Sequence, residues 1–253
     1  MGIDADAAAA ALAESWQRLV SAVPAGWARR HGGAVAMVTG VQSPFLNGVW
    51  LERADPDPDV VADLLDRVAA TGLPHCLQLR PGGSPALSSL AMNLGMSRDQ
   101  DDVPLMVLED PSRLGQHVDG LVVRQLQPGE AELHVRVAAA GFEAPPEPFR
   151  QLVTPATLGL PGVRCYVGEA DGRLVTTGIG VTLGTFVGIF NVATPPADRG
   201  RGYGTALTAQ AVTDGLAEGP MWSWLQSSPP GYPVYEQLGF RTVESWQAWV
   251  SAS

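Results

Sequence analysis

The chain has 253 residues, 45% of them hydrophobic and 17% charged, which suits one large domain or two of ordinary size with a real core. Its formal net charge of −10 lacks the basic footprint of a nucleic-acid-binding protein, so polyanions are not expected as partners. Two cysteines and four scattered histidines have neither disulfide-framework nor metal-ligand spacing, and no metal site is expected.

The N-terminal segment carries an alanine run, Ala7–Ala11, that superficially resembles a secretion signal. Acidic rather than basic residues precede the run and Glu14 follows it, which is typical of a helix. No apolar stretch approaches membrane-spanning length. We therefore expect a cytoplasmic protein without a membrane partner, and an oligomer is compatible with the sequence.

The first half of the chain shows apolar residues at helical or alternating spacing. In chain order this pattern predicts helix Asp6–Val23, strands Ala34–Val41 and Gly48–Glu52, helix Asp59–Ala70, strand His75–Leu79, helix Pro85–Leu94 and strand Val103–Leu108. The polar, turn-rich segment Glu109–Gly120 has no periodicity, and we place a linker at residues 111–120.

The second half shows a similar alternation of elements. It predicts strand Leu121–Leu126, a helix from Pro128 to about Ala140, a helical segment Phe149–Val153, a hairpin turning at Asp171-Gly172, strand Thr185–Val192, helix Tyr203–Ala217, strand Met221–Gln226, helix Gly231–Leu238 and strand Arg241–Val250. The order predicts an α/β (α+β) fold with a mixed central sheet flanked by helices.

The two halves can be overlaid, since each runs strand, turn, helix, strand, helix, strand. The last helix ends in Leu94-Gly95-Met96 in one half and in Leu238-Gly239-Phe240 in the other. Because the element order alone recurs by chance, the shared helix ends carry the interpretation. We predict two tandem modules, residues 1–110 and 121–253.

The sharpest local feature is the turn Arg199-Gly200-Arg201-Gly202-Tyr203-Gly204-Thr205, between an apolar strand and an amphipathic helix. A glycine-rich turn that opens a helix presents backbone N–H groups at the positive end of the helix dipole, which suits a phosphate. A P-loop is excluded because no Lys-Ser/Thr pair follows the last glycine. The glycine spacing and the roughly fifty remaining residues do not fit a dinucleotide domain.

With these residues in place, the sequence resembles the GCN5-related N-acetyltransferases (GNAT). Arg199-x-x-Gly202-x-Gly204 looks like the acyl-CoA loop of that family, and Tyr235-x-x-Leu238-Gly239-Phe240 is similar to its closing helix and strand. The resemblance covers roughly residues 121–250. It implies an N-acetyltransferase that uses acetyl-CoA as co-substrate and acetylates a small-molecule or peptide amine by direct attack on the thioester.

The resemblance also implies residue roles. Tyr235 matches the general acid that protonates the CoA thiolate, with Tyr232 as a weaker candidate better placed as a pocket wall. The loop backbone would hold the pyrophosphate, and the preceding strand would splay and pair with the pantetheine arm. The implied CoA-binding residues are Asn191, Val192, Ala193, Thr194, Arg199, Gly200, Arg201, Gly202, Tyr203, Gly204, Thr205 and Ser228. Ser228 stands where the family often has asparagine, and it could cap the following helix.

Alternatives remain open. Tyr235 could simply pack in its helix, and the loop arginines could be solvated charges. The base is not identified: the candidate carboxylates are Glu143, Glu147, Glu169 and Asp198, each of which could equally be a solvated surface group, while Asn191 could only orient a water. In the first half the turn ADPDPD cannot hold pyrophosphate, which predicts a degenerate copy without a CoA loop. The rival functions are a non-catalytic acyl-CoA sensor and a protein–protein interaction scaffold.

Overall fold

The computed structural model describes residues 2–115 and 117–251. Its α-helices are α1 (Ala5–Val20), α2 (Pro58–Ala69), α3 (Pro85–Asn93), α4 (Ala131–Phe142), α5 (Glu147–Leu152), α6 (Pro155–Leu158), α7 (Tyr203–Leu216) and α8 (Tyr232–Gln237). Its strands are β1 (Trp27–His31), β2 (Ala34–Val38), β3 (Asn47–Leu51), β4 (Cys76–Leu79), β5 (Ser97–Arg98), β6 (Val103–Leu108), β7 (Val122–Gln125), β8 (Val163–Ala170), β9 (Arg173–Leu183), β10 (Phe186–Ala193), β11 (Trp222–Gln226) and β12 (Arg241–Val250). Short 3₁₀ helices form at Pro44–Leu46, Pro111–Arg113, Pro128–Glu130 and Pro196–Asp198.

Two compact units contain these elements, and they are not consecutive halves of the chain. Unit 1 contains Met106–Arg241, and unit 2 contains Ile3–Leu105 together with the residues from Thr242 onward. The strand β12 pairs antiparallel with β4, which places it in unit 2 although the sequence assigns it to the 121–253 module. The first boundary lies between Leu105 and Met106, inside β6, rather than in the 111–120 segment.

Unit 1 is built on a mixed sheet. Strands β7, β8, β9 and β10 follow one another in antiparallel order, and β11 pairs parallel with β10. Neighbouring residues of β9 show which helix covers each face: Thr177 contacts His134 of α4, whereas a Cβ at Gly178 would meet Leu207 of α7 at 2.7 Å. Because successive residues of a strand point to opposite faces, α4 and α7 lie on opposite sides of the sheet.

A buried polar group anchors α4 to this sheet. His134 is fully buried, its Nδ1 lies 2.7 Å from the Thr177 hydroxyl, and that hydroxyl donates to the Tyr166 carbonyl at 2.7 Å. The threonine oxygen therefore accepts a hydrogen bond from Nδ1–H, and Nε2 carries the lone pair. Nε2 has no hydrogen-bond partner among the described residues, and burial lowers the pKa of His134 to about 4.

The end of β10 departs from regular strand geometry. Its parallel ladder with β11 joins Phe186–Gly188 to Trp222–Trp224, so the residues further along β10 lie outside that ladder. On the other side, the register with β9 shifts between Phe190 and Ala193, and Asn191 adopts a left-handed backbone with φ 50°. A bulge of this kind bends a strand and leaves backbone groups unpaired.

Unit 2 has its own mixed sheet. Strands β1, β2 and β3 are antiparallel, β4 is parallel to β3, and β12 is antiparallel to β4. Helices α2 and α3 pack on one face over a core that includes Ala36, Val49, Leu64 and Trp249. Because Gly48 has φ 149° and a Cβ there would lie 2.0 Å from the Cys76 carbonyl oxygen, β3 and β4 need glycine at that position to approach.

The predicted mixed sheet with flanking helices is confirmed in both units, with corrections to some elements. Helix α1 ends at Val20 rather than Val23, because Ser21 already closes it as C-cap. Strand β1 was not predicted, since Trp27-Ala-Arg-Arg-His31 lacks apolar alternation. The two-residue strand β5 and the one-turn helix α6 are too short to produce a periodic signal. No helix in the described part of the chain is long and apolar enough to cross a membrane.

Candidate acyl-CoA site

A cavity of about 650 Å³ opens in unit 1. It is bounded by the end of α4, the end of β10, the glycine-rich turn with the start of α7, and the region of α8. The residues predicted from the sequence that line it are Val192, Ala193, Thr194, Arg199, Gly200, Gly202, Tyr203, Gly204, Thr205, Ser228 and Tyr235. Asn191 and Arg201 lie outside this lining, and so does Tyr232, the weaker acid candidate that was expected as a pocket wall.

The turn before α7 leaves backbone donors at the cavity. Gly200 and Gly202 have φ 74° and 79°, a conformation that favours glycine, and Gly202 is the N-cap of α7. The first helical bond runs from the Ala206 N–H to the Gly202 carbonyl at 2.9 Å. The N–H groups of Tyr203, Gly204 and Thr205 have no acceptor among the described residues, so they can bind an anion at the positive end of a 14-residue helix.

Two further glycines let backbone segments approach around the cavity. A Cβ at Gly204 would lie 3.3 Å from the Thr194 hydroxyl oxygen, on the side where α7 faces the end of β10. A Cβ at Gly141 would lie 2.8 Å from the Ala193 Cβ and 2.9 Å from the Thr194 nitrogen, so α4 packs directly on that strand end. A side chain at either position would crowd the end of β10, so glycine lets α4 and α7 pack close to it.

Arg199, which the family resemblance implies as a CoA-binding residue, uses its guanidinium for bonds within unit 1. Its Nη2 donates to the Gly141 carbonyl at 2.7 Å and to the Glu143 carboxylate at 3.1 Å, and its Nε donates to the Thr194 carbonyl at 3.1 Å. These bonds join the turn to the end of α4 and to the end of β10. The side chain therefore positions the walls of the cavity.

Arg201 and Asn191 are placed beside the cavity rather than in its lining. Arg201 lies 3.9 Å from the Asp198 carboxylate, which is buried and also accepts from Arg173 at 3.1 Å. Asn191 occupies the bulge of β10, where its left-handed backbone redirects the strand at Val192. Its part in the site is conformational, because the bulge sets the direction of the residues that do line the cavity.

Tyr235 lines the cavity from α8 and is 9% exposed. Its ring packs edge-on against Phe240 at 6.0 Å between centroids, and its hydroxyl has no hydrogen-bond partner among the described residues. Burial raises its pKa to about 12, so the phenol is protonated at neutral pH and can donate a proton. Tyr235 therefore packs against its neighbours and also lines the cavity.

The main chain of Ser228 holds the start of α8. Helix α8 begins at Tyr232 with Gly231 as N-cap, and the Ser228 carbonyl accepts from the N–H groups of both residues at 3.0 and 3.1 Å. The predicted side-chain cap is therefore wrong: the prolines that follow Ser228 delay the helix by a turn, which puts its hydroxyl out of capping position. Ser228 itself is exposed in the cavity lining.

The four candidate carboxylates fall into different environments. Glu143 lines the cavity, with its side chain 65% exposed and paired to Arg199. Asp198 also lines it but is buried and held by Arg173. Glu147 pairs with Arg150 on α5 and Glu169 is exposed on β8, and neither is in the lining.

Sequence reasoning missed the contribution of the end of α4. Gly141 and Phe142 line the cavity, and Phe142 stacks on Phe149 at 5.5 Å with an interplanar angle of 15°. The available signal was a glycine near the end of an alanine-rich helix, followed by an exposed aromatic residue. By contrast Trp222 and Trp224 on β11 are buried core residues.

Comparisons with known proteins agree with this geometry. Residues 161–242, which contain the turn, α7 and α8, match the family described as acetyltransferase (GNAT) domain. This segment is a GNAT domain, and the resemblance seen in the sequence is confirmed. A search of curated proteins finds no match.

Solved structures extend the similarity of fold over nearly the whole chain. A GCN5-related N-acetyltransferase from Kribbella flavida has a TM-score of 0.70 at 19% identity, covering 97% of this chain and 96% of its own. Another from Sphaerobacter thermophilus has a TM-score of 0.62 at 15% identity, with coverages of 87% and 80%. A tandem GNAT protein from the clavulanic acid biosynthesis pathway has a TM-score of 0.59 at 16% identity, with coverages of 98% and 95%. At these low identities the structural similarity shows the fold alone, and a two-module arrangement is compatible with that fold.

Proposed function

We propose that unit 1 is an acetyl-CoA-dependent N-acetyltransferase acting on a small-molecule or peptide amine. The observation that carries this proposal is the cavity in which three unpaired N–H groups of α7, the bulged end of β10 and the Tyr235 side chain line one space. The helix N-terminus would hold the CoA pyrophosphate. The strand end would pair with the pantetheine arm.

In the proposed reaction a neutral amine attacks the thioester carbonyl carbon, and a new C–N bond forms. A backbone N–H near Val192 would stabilise the negative oxygen of the tetrahedral intermediate. When the intermediate collapses, the C–S bond breaks, Tyr235 gives its phenolic proton to the CoA thiolate, and the amine nitrogen loses a proton. Solvent then reprotonates the tyrosinate, which its raised pKa favours.

The proton of the amine needs an acceptor. Of the four carboxylates considered, Glu143 combines a place in the cavity lining with an accessible side chain, whereas Asp198 is buried and held by Arg173. We assign the acceptor role to Glu143, directly or through a water molecule. Replacing Glu143 with Gln should then raise the pH at which the rate reaches its plateau, without weakening acetyl-CoA binding.

Unit 2 is proposed to hold no acyl-CoA. Its β3–β4 ladder ends at Trp50 and Gln78, two residues before Glu52 and Arg80. The β10–β11 ladder of unit 1 ends at the corresponding point, two residues before Phe190 and Gln226. In unit 2 the Arg80 guanidinium donates to the Glu52 carbonyl across that gap. In unit 2 the space beyond the end of this ladder is therefore filled by a buried side chain of the unit itself.

Arg80 is held firmly in this position. It makes two bonds of 2.8 Å to Glu244 of β12 and an ion pair of 2.7 Å to Asp6 of α1, and its side chain is 2% exposed. The aspartates of the ADPDPD turn serve the fold as well: Asp57 accepts from the Asp59 N–H at the start of α2. No anion site remains among these groups.

Calorimetric titration with acetyl-CoA tests whether unit 1 binds acetyl-CoA and whether unit 2 binds none. The wild type should bind one acetyl-CoA per chain, and Gly202→Glu, which places a carboxylate at the start of α7, should bind none. Gly120→Glu is the matched control, because Gly120 has φ 76° against 79° for Gly202, and its Cβ would meet nothing within 4 Å. Two sites per chain, or a site that survives in Gly202→Glu, would refute the proposal for unit 2.

Turnover separates the enzyme from a sensor. Thiol release should be measured with acetyl-CoA and a library of amines, using the wild type and Tyr235→Phe. Binding without turnover of any amine would favour a non-catalytic acyl-CoA sensor. A folded wild type that binds no acetyl-CoA at millimolar concentration would exclude both and leave an interaction scaffold.

A further inference from the structure

A second cavity in unit 1, of about 390 Å³, is not used by the proposed reaction. It is lined by α4, by the turn between β8 and β9, and by the segment after β10. The lining residues are Arg136, Val137, Ala140, Gly172, Arg173, Leu174 and Pro195. Pro195 directly follows Thr194 of the larger cavity, so the same piece of chain borders both.

This second cavity is basic in an otherwise acidic protein. Two of its lining residues are arginines and none of them is acidic. In the described part of unit 1, seven arginines form salt bridges, namely Arg124, Arg150, Arg164, Arg173, Arg199, Arg201 and Arg241. Arg136 is exposed and forms no salt bridge with the described residues. Glu132 lies one turn before it on α4, but that carboxylate pairs with Arg150. The Arg136 guanidinium is available to a ligand.

Arg173 is held in position by the 3₁₀ helix that precedes the glycine-rich turn. Its Nη2 donates to Asp198 at 3.1 Å, and the Asp198 side chain is only 4% exposed. Asp198 lines the larger cavity and lies 3.9 Å from Arg201. A buried carboxylate from the lining of the larger cavity therefore orients Arg173.

We propose that Arg136 and Arg173 form a phosphate subsite that takes the 3′-phosphate of the CoA adenosine. This inference rests on the proposed acetyl-CoA site. The ribose of CoA is bonded to the pyrophosphate and carries a further phosphate, so an anion site that shares the segment Thr194–Pro195 and the Arg173–Asp198 bond with the larger cavity matches the chemistry of that molecule. The planar fork of a guanidinium binds phosphate oxygens in pairs.

The test compares CoA with dephospho-CoA, which lacks only the 3′-phosphate. We expect the wild type to bind CoA about fivefold more tightly than dephospho-CoA, the advantage that one partly exposed ionic contact gives. In Arg136→Gln this ratio should fall towards one, while dephospho-CoA binds as in the wild type. Arg67→Gln, which removes an exposed arginine from α2 of unit 2, is the control for net charge and should keep the wild-type ratio.

The outcomes separate the subsite from the function. A wild type that binds both ligands equally, or an Arg136→Gln variant that keeps the fivefold ratio, refutes the subsite and leaves the transferase intact. Equal loss of the ratio in Arg67→Gln also refutes it, because the effect would then be one of net charge. Failure of the wild type to bind either ligand refutes the proposed function, and the subsite with it.

Discussion

Lowering the pH from 7 to 5 should destabilise unit 1 through one buried imidazole. His134 has a pKa of about 4 in the folded protein, against the ordinary value of 6.5, because burial disfavours its charged form. Between these two values the unfolded chain binds the proton and the folded chain does not, so stability falls as the pH falls. The loss begins near pH 6.5 and is complete below pH 4.

The size of the effect follows from the two pKa values. A shift of 2.5 units corresponds to a limit of about 3 kcal/mol, of which about 2 kcal/mol is lost between pH 7 and pH 5. The assay is urea unfolding followed by circular dichroism at both pH values, for the wild type and for His134→Gln. The variant should lose about 2 kcal/mol less than the wild type over this range.

A matched control uses His31, which is exposed in unit 2. His31→Gln should keep the pH dependence of the wild type. If His134→Gln loses as much stability as the wild type between pH 7 and pH 5, the imidazole is not responsible. The assignment of a neutral, buried His134 would then be refuted.

Three further substitutions test other parts of the structure. Tyr235→Phe should lower kcat by about 100-fold or more with unchanged acetyl-CoA affinity, as expected for a lost general acid, and an unchanged kcat would show that the phenol only packs. Arg80→Met leaves the largely buried Glu244 without its guanidinium and should cost about 3–5 kcal/mol in urea unfolding, part of which Arg80→Met/Glu244→Leu should recover. Gly141→Ala forces a Cβ against Ala193 and should raise the KM for acetyl-CoA and lower stability by about 1–3 kcal/mol; normal kinetics would mean that α4 can move away freely.

Local sequence patterns predicted the parts of the site that depend on backbone conformation. The glycines of the turn before α7 are recognisable in the sequence because few other residues tolerate positive φ angles and close backbone approach. The hairpin at Asp171-Gly172 is predicted by the same rule. The position of Tyr235 after the turn was readable from spacing within the family resemblance. In each case the information lies within a few residues.

The features that sequence reasoning missed depend on distant partners. Nothing near Arg199 indicates that its donors go to carbonyls of α4 and β10 instead of a phosphate. Nothing in the alternating pattern of β12 indicates which sheet it joins, because any open strand edge can accept it. The role of Arg80 likewise depends on distant residues, since its partners are the Glu52 carbonyl and the Glu244 carboxylate.

The return of β12 to unit 2 has a consequence for synthesis of the chain on the ribosome. Strand β4 gains its antiparallel neighbour, and Arg80 gains Glu244, only when residues beyond Thr242 have left the exit tunnel. Until then the N-terminal segment carries an open strand edge, and Arg80 lacks Glu244, one of its two carboxylate partners. Nascent chains of this protein should therefore remain dependent on chaperones until residues 242–250 have emerged, and a stop codon shortly before Thr242 should damage unit 2 more than unit 1.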